Sequence, residues 1–108
     1  MWADAQEELG GTDEELTVPI PREGNNYVAV VRLTGFGTAT IKVQTGDPSG
    51  GYSDETVRDS INGGTGDPSS DGIYTADLTD DADFLKITPS SYTAGPIRAE
   101  VALVPDVT

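Results

Sequence analysis

Cysteine and histidine are both missing from this 108-residue chain. Without cysteine there is neither a disulfide framework nor a thiolate metal site. Without histidine the chain lacks the usual general base, the commonest transition-metal ligand and the near-neutral pH switch. Bases are scarce as well: six Lys and Arg face 19 Asp and Glu, for a net charge of −13. A surface of that sign repels nucleic acid phosphates and anionic membranes, so direct DNA or RNA binding is not expected. No apolar run approaches the roughly 20 residues that span a bilayer. The opening MWADAQEELGG has neither the positive region nor the apolar stretch of a signal peptide. A protein with no export signal of its own and no membrane partner is the expectation.

The length fits one domain able to bury a real core, with little surplus for a large catalytic cleft. Residues 1–15 stand apart as an acidic N-terminal arm. They hold six acids (Asp4, Glu7, Glu8, Asp13, Glu14, Glu15), no base, and a Gly10–Gly11 break. Capping-box spacings occur at Asp4/Glu7 and Thr12/Glu15, but the stretches between are too short for an unaided helix. The arm therefore reads as a segment that is disordered or ordered only on contact with something else. Trp2 near its tip is either an aromatic anchor for a neighbouring groove or an incidental residue of a loose terminus.

From residue 16 to 108 the dominant period is two, the mark of strands. Segment 27–33 places Tyr27, Ala29, Val31 and Leu33 on one face, with Val28, Val30 and Arg32 on the other. Segment 38–44 sets Ala39, Ile41 and Val43 against Thr38, Thr40, Lys42 and Gln44. Segment 97–104 sets Ile97, Ala99, Val101 and Leu103 against Arg98, Glu100, Ala102 and Val104. Shorter strand candidates lie at 16–20, 73–78 and 84–88. Helical periodicity is absent after residue 15, although 53–61 has room for a helical turn. Short strands joined by Gly, Pro and Asp connectors predict an all-β fold: a single antiparallel β-sandwich or jelly-roll-like domain at 16–108 with an extended arm. Arg32, Lys42, Lys86 and Arg98 fall inside these strands, where cross-strand pairing or edge protection is their expected use.

The phrase TGDPS occurs twice, at 45–49 and 65–69. As a calcium loop starting at Asp67 it supplies Asp67, Ser69, Asp71 and Gly72 at positions 1, 3, 5 and 6. Position 12 is Leu78, where a bidentate Glu is required, and the EF-hand reading fails there. Asp77, Asp80, Asp81 and Asp83 also crowd together, but acidic turns are ordinary solvated turn-formers, and no metal is assigned. The flanks of the two copies share nothing, so duplication fails too. Asp-Pro turn chemistry remains: proline presets φ and the preceding Asp folds onto backbone donors. The turns bracket the irregular stretch 45–71, which is expected to face away from the core, at a subunit junction or into solvent.

Catalysis finds little support. The doublets Asp54–Glu55 and Asp80–Asp81 do not make the two opposed carboxylates of a glycosidase. Ser49, Ser60, Ser69 and Ser90 have no histidine to activate them. Gly35-Phe36-Gly37 is an inter-strand loop, not a phosphate-cradling motif. Neither a catalytic residue nor a cofactor is assigned. A glycan-binding module is a competing reading, with Trp2, Tyr52, Tyr74 and Tyr92 as stacking candidates.

The run YVAVVRLTGFGTATIKVQTGDPSGGYSD, followed by DGIYTADL and DFLKITPSSYTAGPIRAEVALV, resembles small β-sandwich proteins of tailed-phage particles. The likeness spans about residues 16–104 and is carried by the order of strands and turns. It most resembles capsid decoration (cement) proteins, although tryptophan often stands where Tyr52 does. The resemblance implies a non-enzymatic virion structural role on the outer capsid surface after assembly in the host cytoplasm. The implied partner is the major capsid protein, and the implied assembly is a homotrimer. A tail, baseplate or fibre module is the variant of the same reading. The contact residues expected on this basis are Trp2 and Leu9 in the arm, Val28, Val30 and Arg32 on one strand face, and Tyr52 in the long loop. For Val28 and Val30 the competing reading is a strand buried on both faces.

Overall fold

A computed structural model describes residues 5–21, 26–47, 49–78, 83–94 and 96–106. Nine strands lie among the described residues: β1 (Ala5–Leu9), β2 (Leu16–Pro19), β3 (Asn26–Thr34), β4 (Thr38–Asp47), β5 (Gly51–Asp54), β6 (Arg58–Asp59), β7 (Gly72–Leu78), β8 (Phe84–Ala94) and β9 (Ile97–Asp106). They form two antiparallel sheets, one in the order β1-β9-β3-β7-β6 and the other β2-β8-β4-β5. The all-β sandwich follows from the alternation: each long strand carries one apolar stripe, and two stripes bury each other.

The core is aliphatic. Leu33, Ile41, Leu85, Ile87 and Ile97 are fully buried, with Val31, Val43 and Val101 beside them. β-branched and leucine side chains suit a pleated, face-packed layer. Tyr27 and Tyr74 are the buried aromatics of this core. The Tyr74 hydroxyl, which needs a partner when buried, donates to the Ser70 carbonyl at 2.7 Å.

Both edges of the sandwich are closed by a pair of short strands that passes from one sheet to the other. At one edge β1 pairs with β9, from Ala5↔Val101 to Leu9↔Ile97, and β2 pairs with β8. Leu9, Leu16 and Val18 reach the core from this edge. The connection is held by the Gly10 N–H on Glu14 Oε1 at 3.0 Å and by the Thr88 hydroxyl on the Glu14 carbonyl at 2.8 Å. The expected loose arm is thus corrected for residues 5–9, which form an edge strand. Three polar residues in a row hid it, because only every second side chain of an edge strand meets the core and Glu7 lies beyond the cover.

The opposite edge is closed by β5 and β6, within the stretch read as an outward-facing excursion. That expectation holds for most of the stretch, whose described residues are largely exposed, and is corrected at Val57, at 2% exposure, and at fully buried Pro68. The Glu55 N–H donates to Val43 O at 2.9 Å and the Ile41 N–H to Pro68 O at 2.8 Å, so residues 55–68 extend the margin of β4. Buried Thr45 donates its hydroxyl to Glu55 Oε2. No helical turn forms at 53–61, since these backbone donors are spent on strand neighbours.

The two TGDPS copies have separate uses. In the first, Asp47 Oδ1 accepts the N–H groups of Ser49 and Gly50 and the Ser49 hydroxyl, closing the β4–β5 hairpin. Gly51 has φ +86°, and a Cβ on Gly46 would lie 2.1 Å from the Gly51 carbonyl oxygen. Both positions therefore require glycine. In the second copy Pro68 is core and Asp67 pairs with Lys42 at 3.6 Å. Strand β8 also runs six residues beyond the expected 84–88, through Pro89. Because Ile41 sends its N–H to Pro68, Ile41 and Pro89 are a non-hydrogen-bonded pair. The missing N–H of Pro89 breaks no rung to β4, and register shifts follow at once.

Leu9→Ala should lower unfolding free energy by roughly 2–4 kcal/mol, as for a buried leucine, and not by the near-zero amount of a free arm. Urea denaturation of the variant checks this.

Candidate interaction surface on the five-stranded sheet

Register determines which side chains share the outer face of the five-stranded sheet. Across β9, β3 and β7 the outward rows are Val104–Val28–Asp77, then Ala102–Val30–Thr75, then Glu100–Arg32–Ile73. β1 adds Gln6 opposite Glu100 and Glu8 opposite Arg98, and β6 adds Arg58 opposite Thr75. The centre of this face is thus apolar: Val28 and Val30 are half-buried, Ala102 is covered, and Val104 and Ile73 are exposed at 46% and 38%. Cross-strand valine and alanine pairs stabilise a sheet by mutual contact, and among the described residues no further strand layer packs on this side.

The charged groups of the face sit at its margins. Glu100 Oε1 lies between Arg32 Nε at 3.7 Å and Arg98 Nε at 3.9 Å, and an Arg98 guanidinium N–H donates to Gln6 Oε1 at 2.6 Å. Arg58 pairs with Asp77 at 3.8 Å. These pairs are solvent-bathed and orient side chains more than they stabilise. Together the described side chains of the face hold three bases (Arg32, Arg58, Arg98) and three acids (Glu8, Asp77, Glu100). Face charge is therefore balanced on a chain whose total is −13.

The outer face of the other sheet is polar. Lys42 reaches Asp54 at 2.8 Å and Asp67 at 3.6 Å, Gln44 donates to Asp54 at 2.8 Å, and Lys86 faces Glu15 at 3.8 Å. Arg32, Lys42 and Lys86 meet acids from neighbouring strands or connections, the use expected of strand-borne bases, while Arg98 pairs with Glu100 of its own strand and reaches across only to the Gln6 amide. The Lys42 ammonium is held above the usual lysine value, first by the Asp54 hydrogen bond and then by the Asp67 charge. Asp54 is held below its ordinary value by the Lys42 and Gln44 hydrogen bonds. Asp47 is lowered by the Ser49 hydroxyl and the Gly50 and Ser49 N–H groups. Asp59 is lowered by the N–H groups of Asn62 and Ile61 and by the Asn62 side-chain amide.

The expected contact residues are thereby divided. Trp2 lies outside the described residues. Leu9 is fully buried in the core, so it is corrected from a partner contact to an internal anchor of β1. Val28, Val30 and Arg32 share one outward face, and burial on both sides of β3 does not hold. Tyr52 lies across the molecule on the other sheet, opposite Gly46, with Lys86 Nζ 4.9 Å from its ring centre. Of the aromatics weighed for glycan stacking, Tyr74 is buried and Tyr92 packs partly against the core. Lys86 occupies the ring face of Tyr52 that a sugar would need. Ile73, Thr75, Ala102 and Val104 complete the apolar patch. The alternation of 97–104 already put Ala102 and Val104 off the core stripe, but only pairing register brings them beside Val28 and Val30.

Polar hollows elsewhere offer no convergent chemistry. One of about 180 Å³ is bounded by Asp59, Gly64, Asp67, Ser70 and Tyr74. Among the described residues no three Asp or Glu side chains gather as a metal cage; Asp80 and Asp81 of the acidic crowd lie outside them. Comparison with family models, curated proteins and solved structures finds no match to this chain.

Three lowered carboxyls give a definite pH dependence. Folding lowers Asp47, Asp54 and Asp59, so their contribution is full above the unfolded carboxyl value and is lost as pH falls through the lowered folded values. Resistance to urea should fall below about pH 4, and Asp47→Asn should flatten part of that fall. Denaturation midpoints measured across the acid range test both expectations.

Proposed function

We propose that the protein is a non-enzymatic structural component that works by protein–protein contact. The observation that carries this reading is the apolar patch of exposed Val104 and Ile73 with half-buried Val28 and Val30 at the centre of a face whose described charges balance. Exposed side chains that could drive chemistry are instead spent on turns and cross-strand pairs, as at Asp47, Asp54 and Asp59. The resemblance in strand-and-turn order to decoration proteins of tailed phages gives the setting. The protein is then a cement protein seated on the outer shell, with the major capsid protein as its partner. Small contacts suffice in that setting, because a symmetric shell repeats each of them many times.

Density-gradient sedimentation of particles from the source culture, probed with antibody to this protein, tests the reading. The expected outcome is co-migration with filled heads and loss of head stability when the protein is stripped. Protein that stays at the top of the gradient, with heads indifferent to its presence, refutes it.

A further inference from the structure

The balanced apolar face also selects its partner by charge. We propose that its occupant is a second copy of this chain, seated face to face about a two-fold axis, in place of the trimer that the phage resemblance implies and leaving capsid contact to other surfaces of the chain. This inference rests on the reading of that face as a contact surface and names what covers it.

Charge decides between candidate partners. The whole chain carries 19 acids and six bases, so two copies repel each other over most of their surface. The outer face of the five-stranded sheet is different, with Arg32, Arg58 and Arg98 set against Glu8, Asp77 and Glu100. Among the described side chains, half the bases of the chain gather there with three acids. Two copies can thus meet on this face without a like-charge penalty. On the face itself, the described side chains offer a strongly basic or strongly acidic partner no patch of a single opposite sign.

Display of the charges supports the same pairing. The side chains of Arg32 and Arg98 are 49% and 47% exposed, while the Glu100 between them is only 12% exposed. Guanidinium groups are therefore the more exposed part of that cluster. Asp77, two rows along the sheet, is 50% exposed. Turning a copy end over end about Val30 brings the Arg32 end of one sheet over the Asp77 end of the other, with the valines stacked between.

The size of the face fits a pair. The five strands, taken at their own lengths with a spacing of about 4.8 Å and a rise of about 3.3 Å per residue, present a plan of roughly 500 Å². Covering that plan on both copies gives about 1,000 Å² in total, the lower bound of a specific interface, and sheets stacked this way interdigitate side chains as a sandwich does. Isologous closure also limits growth, since each copy uses the same face and the pair is complete at two.

The test uses the full chain, with molar mass followed by light scattering and sedimentation from about 1 to 500 μM, in about 0.15 and 0.5 M salt. Wild type should run at twice the chain mass, at least as firmly in high salt as in low. Val30→Asp should run at the chain mass with an unchanged circular dichroism spectrum, while Thr38→Asp on the opposite sheet should still pair. Arg32→Glu should weaken pairing by about tenfold at low salt and recover at high salt.

A wild-type monomer at every concentration overturns the proposal, as does any stoichiometry other than two or a folded Val30→Asp variant that still pairs. Should Val30→Asp fail to fold, Arg32→Glu pairing that is unaffected by the charge change overturns it. Association with heads as a monomer refutes the pairing alone. A pair that ignores heads refutes the virion setting alone.

Discussion

The mutual burial of two apolar stripes, one from each sheet, is the interaction on which the rest of this structure depends. Ala29, Val31 and Leu33 from β3 share an interior with Ile41 and Val43 from β4, Leu85 and Ile87 from β8, and Ile97, Ala99 and Val101 from β9. No disulfide is available to reinforce the layer, and hydrophobic burial must outweigh the ordering of the chain by itself. Everything polar is consequently pushed to the faces, edges and turns. The same requirement explains why each sandwich margin is plugged: a two-layer core open at its sides would leave Ile97 and Val43 in water.

Those plugs show how short segments become structural. β1 and β2 straddle the two sheets at one margin, and β5 with β6 do so at the other. Each pair delivers very little apolar surface, Leu9 with Leu16 and Val18 in one case, Val57 with Pro68 in the other. Their contribution is positional, because a single well-seated side chain excludes water from the end of a layer. The stretch 45–71 is long for this reason and not as an appendage. It carries the chain from the margin of one sheet to the margin of the other and is tied down by Ile41, Val43 and Thr45.

The electrostatics follow from the same division of labour. Acids accumulate in turns, where Asp47 and Asp59 each gather backbone N–H groups, and the few bases are placed in strands where acids of neighbouring chain segments meet them. Charge is thereby balanced locally on the five-stranded face while remaining strongly negative in total. This balance gives an otherwise self-repelling molecule one surface suited to close contact, and it directs the functional reading toward assembly.

The period-two pattern by itself determined the fold class, the six principal strands and the two faces of the segments 27–33, 38–44 and 97–104, because a strand half-buried in a sandwich must alternate. It also separated Val28, Val30 and Arg32 from the core stripe. The edge strands were not legible: AQEEL and RD have too few inward residues to leave a pattern, and their strand character comes from pairing with β9 and β7. Pro89 concealed the second half of β8, since its lost donor is harmless only where the neighbouring strand points its N–H elsewhere. The burial of Pro68, the distinct fates of two identical TGDPS phrases, and the assembly of Ile73, Ala102 and Val104 around Val28 and Val30 were decided by tertiary structure alone. Local sequence sets which way a side chain faces along its own strand. Which neighbours it then meets depends on strand order and register, and these are set by contacts between residues far apart in the chain.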